Sequence, residues 1–177
     1  RARVRDEIVR PTLSSLSERG NPFVGFLYVG VMLTDGGPQL VEFNVRLGDP
    51  EAQCILPRLA DGAFLELCAR TARGELAGYR LEWDPRPVVA VVATAEGYPS
   101  APRKGDPITI DPSLETPDRW LDQAGTRLDG ERLVTHGGRV AAVVARGQTV
   151  SKARTSAYEG VKALCFDGMH HRDDIGA

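Results

Sequence analysis

Polar and apolar side chains alternate along residues 41 to 47, which read Val-Glu-Phe-Asn-Val-Arg-Leu. In an extended strand, side chains at every second position point to the same side. Glu42, Asn44 and Arg46 therefore share one predicted face, and the valines and the phenylalanine between them share the other. We interpret the polar face as chemical and the apolar face as core, although an ordinary half-buried strand with a solvated polar face shows the same alternation.

The spacing of apolar residues also predicts the elements before and after this strand. In the first half we expect a helix over 2–18, which Pro11 either kinks or divides, and strands over 23–34 and 39–47 around a turn at 35–37. A helix over 50–73, broken near Pro57 and Gly62, should then end at Gly74. In the second half we expect strands over 88–95, 106–110, 132–135 and 139–145, and a helix that is capped by Thr149 or Ser151 and ends at 166–168. This order predicts an α+β fold.

The composition narrows the class of protein. The 177 residues carry a net charge of −2, which gives no basic field for binding nucleic acid. The three cysteines, Cys54, Cys68 and Cys165, have neither metal-ligand nor redox spacing. No apolar run is long enough to span a bilayer, so we expect a soluble cytoplasmic protein without a membrane partner. Because Arg1 opens a helical pattern, we also expect that an N-terminal part of a longer polypeptide is absent.

The polar strand face and the turn after it form the candidate chemical site. The side-chain oxygens of Glu42 and Asn44 can hold a hard divalent cation, and Arg46 can bind a phosphate or an acyl phosphate through two hydrogen bonds. After the strand, Asp49 is a candidate N-cap, with Pro50 at the first helical position. These features indicate a site that handles nucleotide phosphates.

Other residues attract attention without supporting chemistry. His170 and His171 are adjacent, and neighbouring side chains of a strand point to opposite faces, so we expect them, like His136, to have surface or packing roles. Gly137 and Gly138 lack the lysine and the spacing of a phosphate-binding loop, and they predict a hairpin turn instead.

Several segments in order resemble the phosphoribosylamine-glycine ligase family, also called glycinamide ribonucleotide synthetase, of the ATP-grasp superfamily. The first segment is GFLYVGVMLTDGGPQLVEFNVRLGDPEAQCILPRL, residues 25–59. It is followed by AEGYP (95–99), Lys104 to Asp106, AGT (124–126), GGRV (137–140), AY (157–158) and RDDIG (172–176). This ordered series spans nearly the whole chain.

The resemblance implies the joining of glycine to 5-phosphoribosylamine at the expense of ATP, through glycyl phosphate, in purine synthesis. It implies that Glu42 and Asn44 are ligands of Mg²⁺ or Mn²⁺ and that Arg46 is the catalytic clamp on the transferred phosphoryl group. Gly48, Asp49 and Glu51 are candidate substrate-binding residues. Asp49 and Glu51 could hold an amine, or they could simply stabilise the start of a helix, and the amides near Gly48 could face an anion.

The resemblance also implies an architecture. We expect residues 1–74 to form the C-terminal part of an ATP-grasp domain, with a helix, antiparallel strands and a helix, and residues 75–177 to form a small mixed β-sheet domain with a late helix. The partners are then small molecules and the absent N-terminal portion, without which we expect no turnover. Two alternatives stay open: another ATP-grasp ligase or carboxylase, and a noncatalytic remnant that serves as a binding module.

Overall fold

The computed structural model describes all 177 residues, which divide into two compact units. The first unit contains Arg1–Asp49 and Ala60–Glu82, and the second contains Pro50–Leu59 and Trp83–Ala177. The helices are α1 (Ala2–Val4), α2 (Arg10–Glu18), α3 (Glu51–Ile55), α4 (Ala63–Arg73) and α5 (Val150–Val161), with a π-helical turn at Arg5–Val9 and 3₁₀ turns at Leu56–Arg58 and Pro112–Leu114. The strands are β1 (Tyr28–Thr34), β2 (Gly37–Asn44), β3 (Val88–Thr94), β4 (Thr109–Ile110), β5 (Arg119–Gln123), β6 (Thr126–Asp129), β7 (Arg132–Thr135), β8 (Arg139–Arg146) and β9 (Leu164–Cys165).

The first unit opens with one helical segment whose hydrogen-bond pattern changes before Pro11. Proline has no backbone N–H and cannot donate to the carbonyl of the preceding turn. The chain widens into the π-helical turn, in which the N–H of Arg10 donates to the carbonyl of Arg5, and α2 then continues with Pro11 in its first turn. The Thr12 hydroxyl donates to the Ile8 carbonyl at 2.7 Å. The predicted helix is confirmed, with an irregular turn where proline requires one.

The strands β1 and β2 form an antiparallel hairpin. Gly37, with φ of 114°, is the first residue of β2 after the turn, and a side chain there would be strained. A bulge follows Gly30, so Glu42 lies opposite Gly30 whereas Leu40 lies opposite Val31. The second strand ends at Asn44, three residues before the predicted end at Leu47.

The apolar face of this hairpin is exposed, so the prediction that it forms a core is wrong for this chain. Val41 is 66% exposed, Phe43 is 37% exposed and Leu33 is 77% exposed. A sheet face becomes a core only when another layer covers it. The hairpin is a sheet of two strands, and no such layer lies over these side chains in the first unit.

The second unit has a three-stranded sheet in the order β3-β8-β5. Its pairings are antiparallel, as are those of β4 with β9 and of β6 with β7. The α+β class is confirmed, but the mixed sheet that we expected is antiparallel because no crossover helix links parallel neighbours. The late helix is N-capped by Thr149, whose side chain accepts from the Lys152 N–H. It ends at Val161, earlier than predicted, because Leu164 and Cys165 belong to β9.

One face of this sheet packs against α5 and forms the main core. Val91 and Val143 from the sheet meet Ala153, Ala157 and Val161 from the helix. The close approach depends on Gly160, since a Cβ atom there would lie 2.7 Å from both Arg119 Cδ and Val143 Cγ1. Small residues on α5 therefore set its distance from the sheet.

The opposite face of the sheet is only partly covered. Cys54 of α3 packs against Ala90, Ala142 and Val144, and burial raises the pKa of the Cys54 thiol. The helix has five residues and β3 has seven, so α3 is about 7.5 Å long beside a strand of about 23 Å. The half of this face nearer Thr94 is left open. None of the helices combines the length and apolar character that a bilayer-spanning segment needs.

Candidate functional site

Glu42 and Asn44 lie side by side near the end of β2. The Asn44 amide nitrogen donates to Glu42 Oε1 at 3.0 Å, as expected for residues on the same face of a strand. The opposing residue, Gly30, provides the space, since a Cβ atom there would lie 3.0 Å from Glu42 Cγ. This hydrogen bond uses the nitrogen end of the Asn44 amide, so its carbonyl oxygen remains as a potential metal ligand beside the carboxylate.

The pair offers two oxygen donors of the type that Mg²⁺ and Mn²⁺ prefer. The structure contains no group of three or more His, Cys, Asp or Glu side chains placed to hold a metal ion. Mg²⁺ usually takes one or two protein oxygens and fills its remaining positions with water and substrate phosphates. The donor set therefore fits a metal shared with a phosphorylated substrate better than a closed structural metal site.

Arg46 lies beyond the end of the strand, in an exposed bend. Its guanidinium donates to the Leu47 carbonyl at 2.9 Å. Strand alternation therefore does not place Arg46 beside Glu42 and Asn44, and that part of the prediction is wrong. The exposed guanidinium is held by one neutral acceptor, which a phosphate oxygen could replace with a stronger, charge-assisted hydrogen bond.

The turn after the strand also differs from the prediction. The helix α3 begins at Glu51, with Pro50 as the flanking residue and no side-chain cap, so Asp49 is not the N-cap. Gly48 is buried, and Asp49 is exposed. Gly48 and Asp49 belong to the first unit and Glu51 to the second. Glu51 lies in the first turn of α3, where a carboxylate stabilises the helix.

The second unit contains a cavity of about 380 Å³ that the sequence did not reveal. It opens on the part of the sheet face that α3 leaves uncovered. Its lining is apolar along β3 and basic at the edges: Pro50, Ala90, Val92, Thr94, Tyr98, Arg139, His170, His171, Arg172 and Ile175. The sequence predicts packing or surface roles for His170 and His171 and a turn at Gly137–Gly138, yet both histidines and Arg139, which follows the glycine pair, line one cavity.

Hydrogen bonds bring the basic residues of the cavity together. The C-terminal segment pairs with the edge of β3, where His170 and Thr94 exchange two backbone hydrogen bonds of 2.8 and 3.0 Å. Thr94 also pairs with Arg139 on its other side. Residues directly opposite one another on neighbouring strands point to the same face, so Arg139 and His170 flank Thr94. The order of motifs in the sequence could not show this edge pairing, because the two segments lie 76 positions apart.

Two family models match parts of the chain. The family described as "Phosphoribosylglycinamide synthetase, C domain" matches residues 88–177, and its "ATP-grasp (A) domain" matches residues 1–52. Residues 53–87 lie between the two matches. The boundary that we predicted between residues 74 and 75 falls in this interval and stays a prediction.

Whole-chain relatives are similar along nearly the full sequence. A phosphoribosylamine–glycine ligase of Vibrio vulnificus is 42% identical over 98% of the chain, and one of Ralstonia nicotianae is 45% identical over 99%. The crystal structure of a phosphoribosylamine–glycine ligase from Thermotoga maritima has a TM-score of 0.79 and 37% identity over 96% of the chain. The chain spans 41% of the length of each of these proteins.

Proposed function

Because this chain belongs to the phosphoribosylglycinamide synthetase family, we propose that it is the C-terminal part of an ATP-dependent ligase that joins glycine to 5-phosphoribosylamine in purine biosynthesis. The observation that carries the proposal is the match to the Vibrio vulnificus protein of that name, which is 42% identical over 98% of the chain. The hydrogen-bonded pair of Glu42 and Asn44 supports it. A carboxylase of the same superfamily and a noncatalytic module are less favoured, since the chain matches both named domains of the ligase family.

The reaction begins with the carboxylate of glycine, which is a poor electrophile. Its oxygen attacks the γ-phosphorus of ATP, and the bond between that phosphorus and the bridging oxygen breaks to release ADP. The amine of 5-phosphoribosylamine then attacks the acyl carbon of glycyl phosphate, loses a proton and expels inorganic phosphate. The negative charge that gathers on the phosphoryl oxygens needs compensation by cations or hydrogen-bond donors.

Glu42 and Asn44 would hold a divalent cation, Mg²⁺ or Mn²⁺, which supplies that charge compensation when it is bound. Arg46 would exchange the Leu47 carbonyl for an oxygen of the transferred phosphoryl group and orient it. Gly48, Asp49 and Glu51 are the substrate-binding candidates: an amide of the loop for an anion, and the carboxylates for the amine of a substrate. Glu51 has a competing role, in which its carboxylate only stabilises the start of α3.

The matched relatives are longer than this chain, and we propose that turnover requires the part of their length that it does not match. That part would supply the adenine contacts and the remaining surface around Glu42. The exposed apolar face of the hairpin supports this dependence, since a long apolar patch is normally covered by a partner layer. The reactants are small metabolites, and we propose a cytoplasmic location.

The test uses the full-length polypeptide that contains this sequence and measures ADP release that depends on glycine. Replacing Glu42→Ala should lower kcat about 100-fold or more, because a ligand for the charge-neutralising cation is lost. The matched control is Glu131→Ala, which removes an exposed carboxylate at the turn between β6 and β7. Activity of Glu42→Ala within a factor of about two of the control would contradict the assignment.

A further inference from the structure

We propose that an ion-pair network in the second unit positions Glu51 for the proposed ligation, because it holds α3 and the turn after this helix in place. The members of the network are Asp84, Arg86, Asp118 and Arg146. The part of the proposal that concerns an amine bound by Glu51 rests on the proposed function. The anchoring of α3 rests on the contacts of the network alone, and it can be measured with this chain.

The helix that carries Glu51 is too short to hold itself in place. It has five residues and no side-chain cap, and isolated helices shorter than about 12 residues are marginal in water. Its apolar anchor is Cys54, which packs against the buried side chains of the sheet face. The chain on both sides of Pro50–Leu59 belongs to the first unit, so further contacts within the second unit must fix this segment.

Backbone groups attach the turn after α3 to the segment that contains Trp83 and Asp84. Leu59 and Trp83 form an isolated antiparallel bridge. The Asp84 N–H donates to the Arg58 carbonyl at 2.7 Å, and Arg58 Nε donates to the Asp84 carbonyl at 3.0 Å. The Arg58 guanidinium also lies over the ring of Trp83, 5.9 Å from its centre. Asp84 is therefore the residue to which the turn is attached.

The side chain of Asp84 is fixed in its turn by the two arginines of the network. Its carboxylate accepts from the backbone N–H and from Nη2 of Arg86 at 2.9 and 2.6 Å, and from Arg146 Nη1 at 3.2 Å. Asp118 accepts from Arg86 Nη1 at 3.1 Å and from Arg146 Nε at 3.2 Å. Arg146 is the last residue of β8, and Asp118 directly precedes β5. The network therefore joins Asp84, and through it the turn after α3, to two strands of the sheet.

The network is suited to positioning because each arginine bridges both aspartates. A displacement of Asp84 would lengthen its bonds to Arg86 and to Arg146 together. The side chains of Asp84 and Arg146 are each 21% exposed, so water and salt screen their attraction less than that of an open surface pair. The hydrogen bonds from Arg86 also hold the pKa of the Asp84 carboxyl well below its usual value, which keeps the carboxylate charged.

A shift of the turn would be passed to Glu51 along the helix. Pro57 lies six positions after Glu51, which is about 9 Å along a helix axis. Arg146 Nη1 also donates to the Pro57 carbonyl at 3.5 Å, so the network reaches this end of the helix directly. Because reaction geometry is sensitive to displacements of about 1 Å, Asp84 is a positioning residue that acts through Glu51.

The anchoring is tested by hydrogen exchange of this chain, measured by NMR at two amides of the anchored segment. The N–H of Leu56 donates to the Ala52 carbonyl, and that of Leu59 donates to the Leu56 carbonyl. Asp84→Ala should speed exchange at both amides about tenfold, because the turn loses its attachment to the sheet and opens locally. The control is Val143→Ala, which weakens the buried core of the same unit and should change these two rates by less than about twofold. Unchanged rates in Asp84→Ala, or equal rates in the two variants, would overturn the anchoring.

The positioning is tested by steady-state ligation with the full-length polypeptide. Glu51→Gln identifies the substrate that Glu51 holds, since the KM of that substrate should rise about tenfold. Asp84→Ala should raise the same KM about tenfold and lower kcat less than about threefold, whereas a loss of folded protein alone would lower kcat and leave KM unchanged. Asp84→Asn keeps an acceptor oxygen for the arginines and should raise this KM only about threefold. The matched control Glu159→Ala removes a carboxylate that pairs with Arg119 at 3.4 Å, and it should leave the KM within about twofold.

A double variant separates positioning from an independent effect. In the Glu51→Gln polypeptide, Asp84→Ala should change the KM by less than a further factor of about two, because Asp84 acts through Glu51. Additive effects, a fall in kcat with an unchanged KM, or unchanged KM values in Glu51→Gln would overturn the positioning. A full-length parent without ADP release that depends on glycine would contradict the proposed function, and the role of Glu51 would fall with it, whereas exchange at Leu56 and Leu59 would still decide the anchoring.

Discussion

The strands β2 and β8 are equally long and both contain valine, yet their surroundings are opposite. In β8, Val143 is fully buried because α5 covers one face of its sheet and α3 part of the other. In β2 and just after it, Val41 and Val45 are 66% and 74% exposed. The apolar pattern forms a strand in both places, but only a second layer turns that strand into core. The sheet of the second unit has helices of the same unit packed against it, whereas the apolar face of the β1–β2 hairpin has no such layer in the first unit.

The largest expected difference between the two strands concerns stability. Val143→Ala should lower the free energy of unfolding of the second unit by about 2 kcal/mol, because the deleted methyl groups leave a cavity in a closed core. Val45→Ala removes the same atoms from an exposed side chain and should change stability by less than about 0.5 kcal/mol. Urea denaturation of both variants measures the two values. Equal losses would show that the hairpin is as well packed as the sheet.

A second pair of variants adds atoms instead of removing them. Gly160→Ala should cost about 2 kcal/mol, because its Cβ would meet Arg119 and Val143 in a core that cannot expand. Gly36→Ala, in the hairpin turn, places its Cβ 3.7 Å from the nearest atom, an ordinary contact, so stability should change by less than about 0.5 kcal/mol. Thermal unfolding compares them. A Gly160→Ala protein as stable as the parent would contradict the close packing of α5.

The second unit should also respond to acid through an ion-pair network. Asp84 accepts hydrogen bonds from Arg86 and, at 3.2 Å, from Arg146, and these partners hold the pKa of its carboxyl well below the usual value. A pKa that is lower in the folded state gives stability that is present above the unfolded pKa, about 3.9, and is lost as the pH falls below it.

The slope of unfolding free energy against pH tests this network. Between about pH 4 and pH 2, Asp84→Asn should show a shallower loss of stability than the parent, because the variant has no proton to gain at this position. Asp129→Asn, at the exposed end of β6, is the charge-matched control and should keep the slope of the parent. Parallel curves for all three proteins would refute the role of Asp84.

The smallest expected effect concerns association through the hairpin. Leu33 is 77% exposed on its apolar face, and exposed apolar sheet surface favours contact between copies. Leu33→Lys should therefore reduce concentration-dependent association, measured by sedimentation velocity. Leu128→Lys, an equally drastic change on the exposed hairpin of the second unit, should have less effect. A larger effect of Leu128→Lys would contradict association through β1 and β2.

The sequence predicts local elements better than it predicts which distant segments pair with them or cover them. Spacing and capping are local, and they predict the hairpin, the strands at 88–94 and 139–146, and the N-cap of α5 at Thr149. The apolar pattern does not predict β5, because Arg119, Asp122 and Gln123 interrupt it. This strand forms through pairing with β8. The alternation also predicts that Arg46 belongs to β2, which ends two residues before it.

The candidate sites show the same limit. Glu42 and Asn44 are two positions apart in one strand, so their proximity is local and could be predicted. The cavity requires the C-terminal segment to pair with β3 and α3 to be too short to cover the sheet. Neither condition is visible in the order of motifs, so the sequence predicts no chemical role for His170, although it borders the cavity.

We propose that the hairpin carries one part of a ligase site, which the rest of the polypeptide completes. The most direct measurement compares ADP release that depends on both glycine and 5-phosphoribosylamine for this chain alone and for the full-length polypeptide that contains it. We predict turnover by the full-length polypeptide and none by the chain alone. Ligation by the chain alone, or a full-length polypeptide whose ADP release ignores glycine, would contradict the claim.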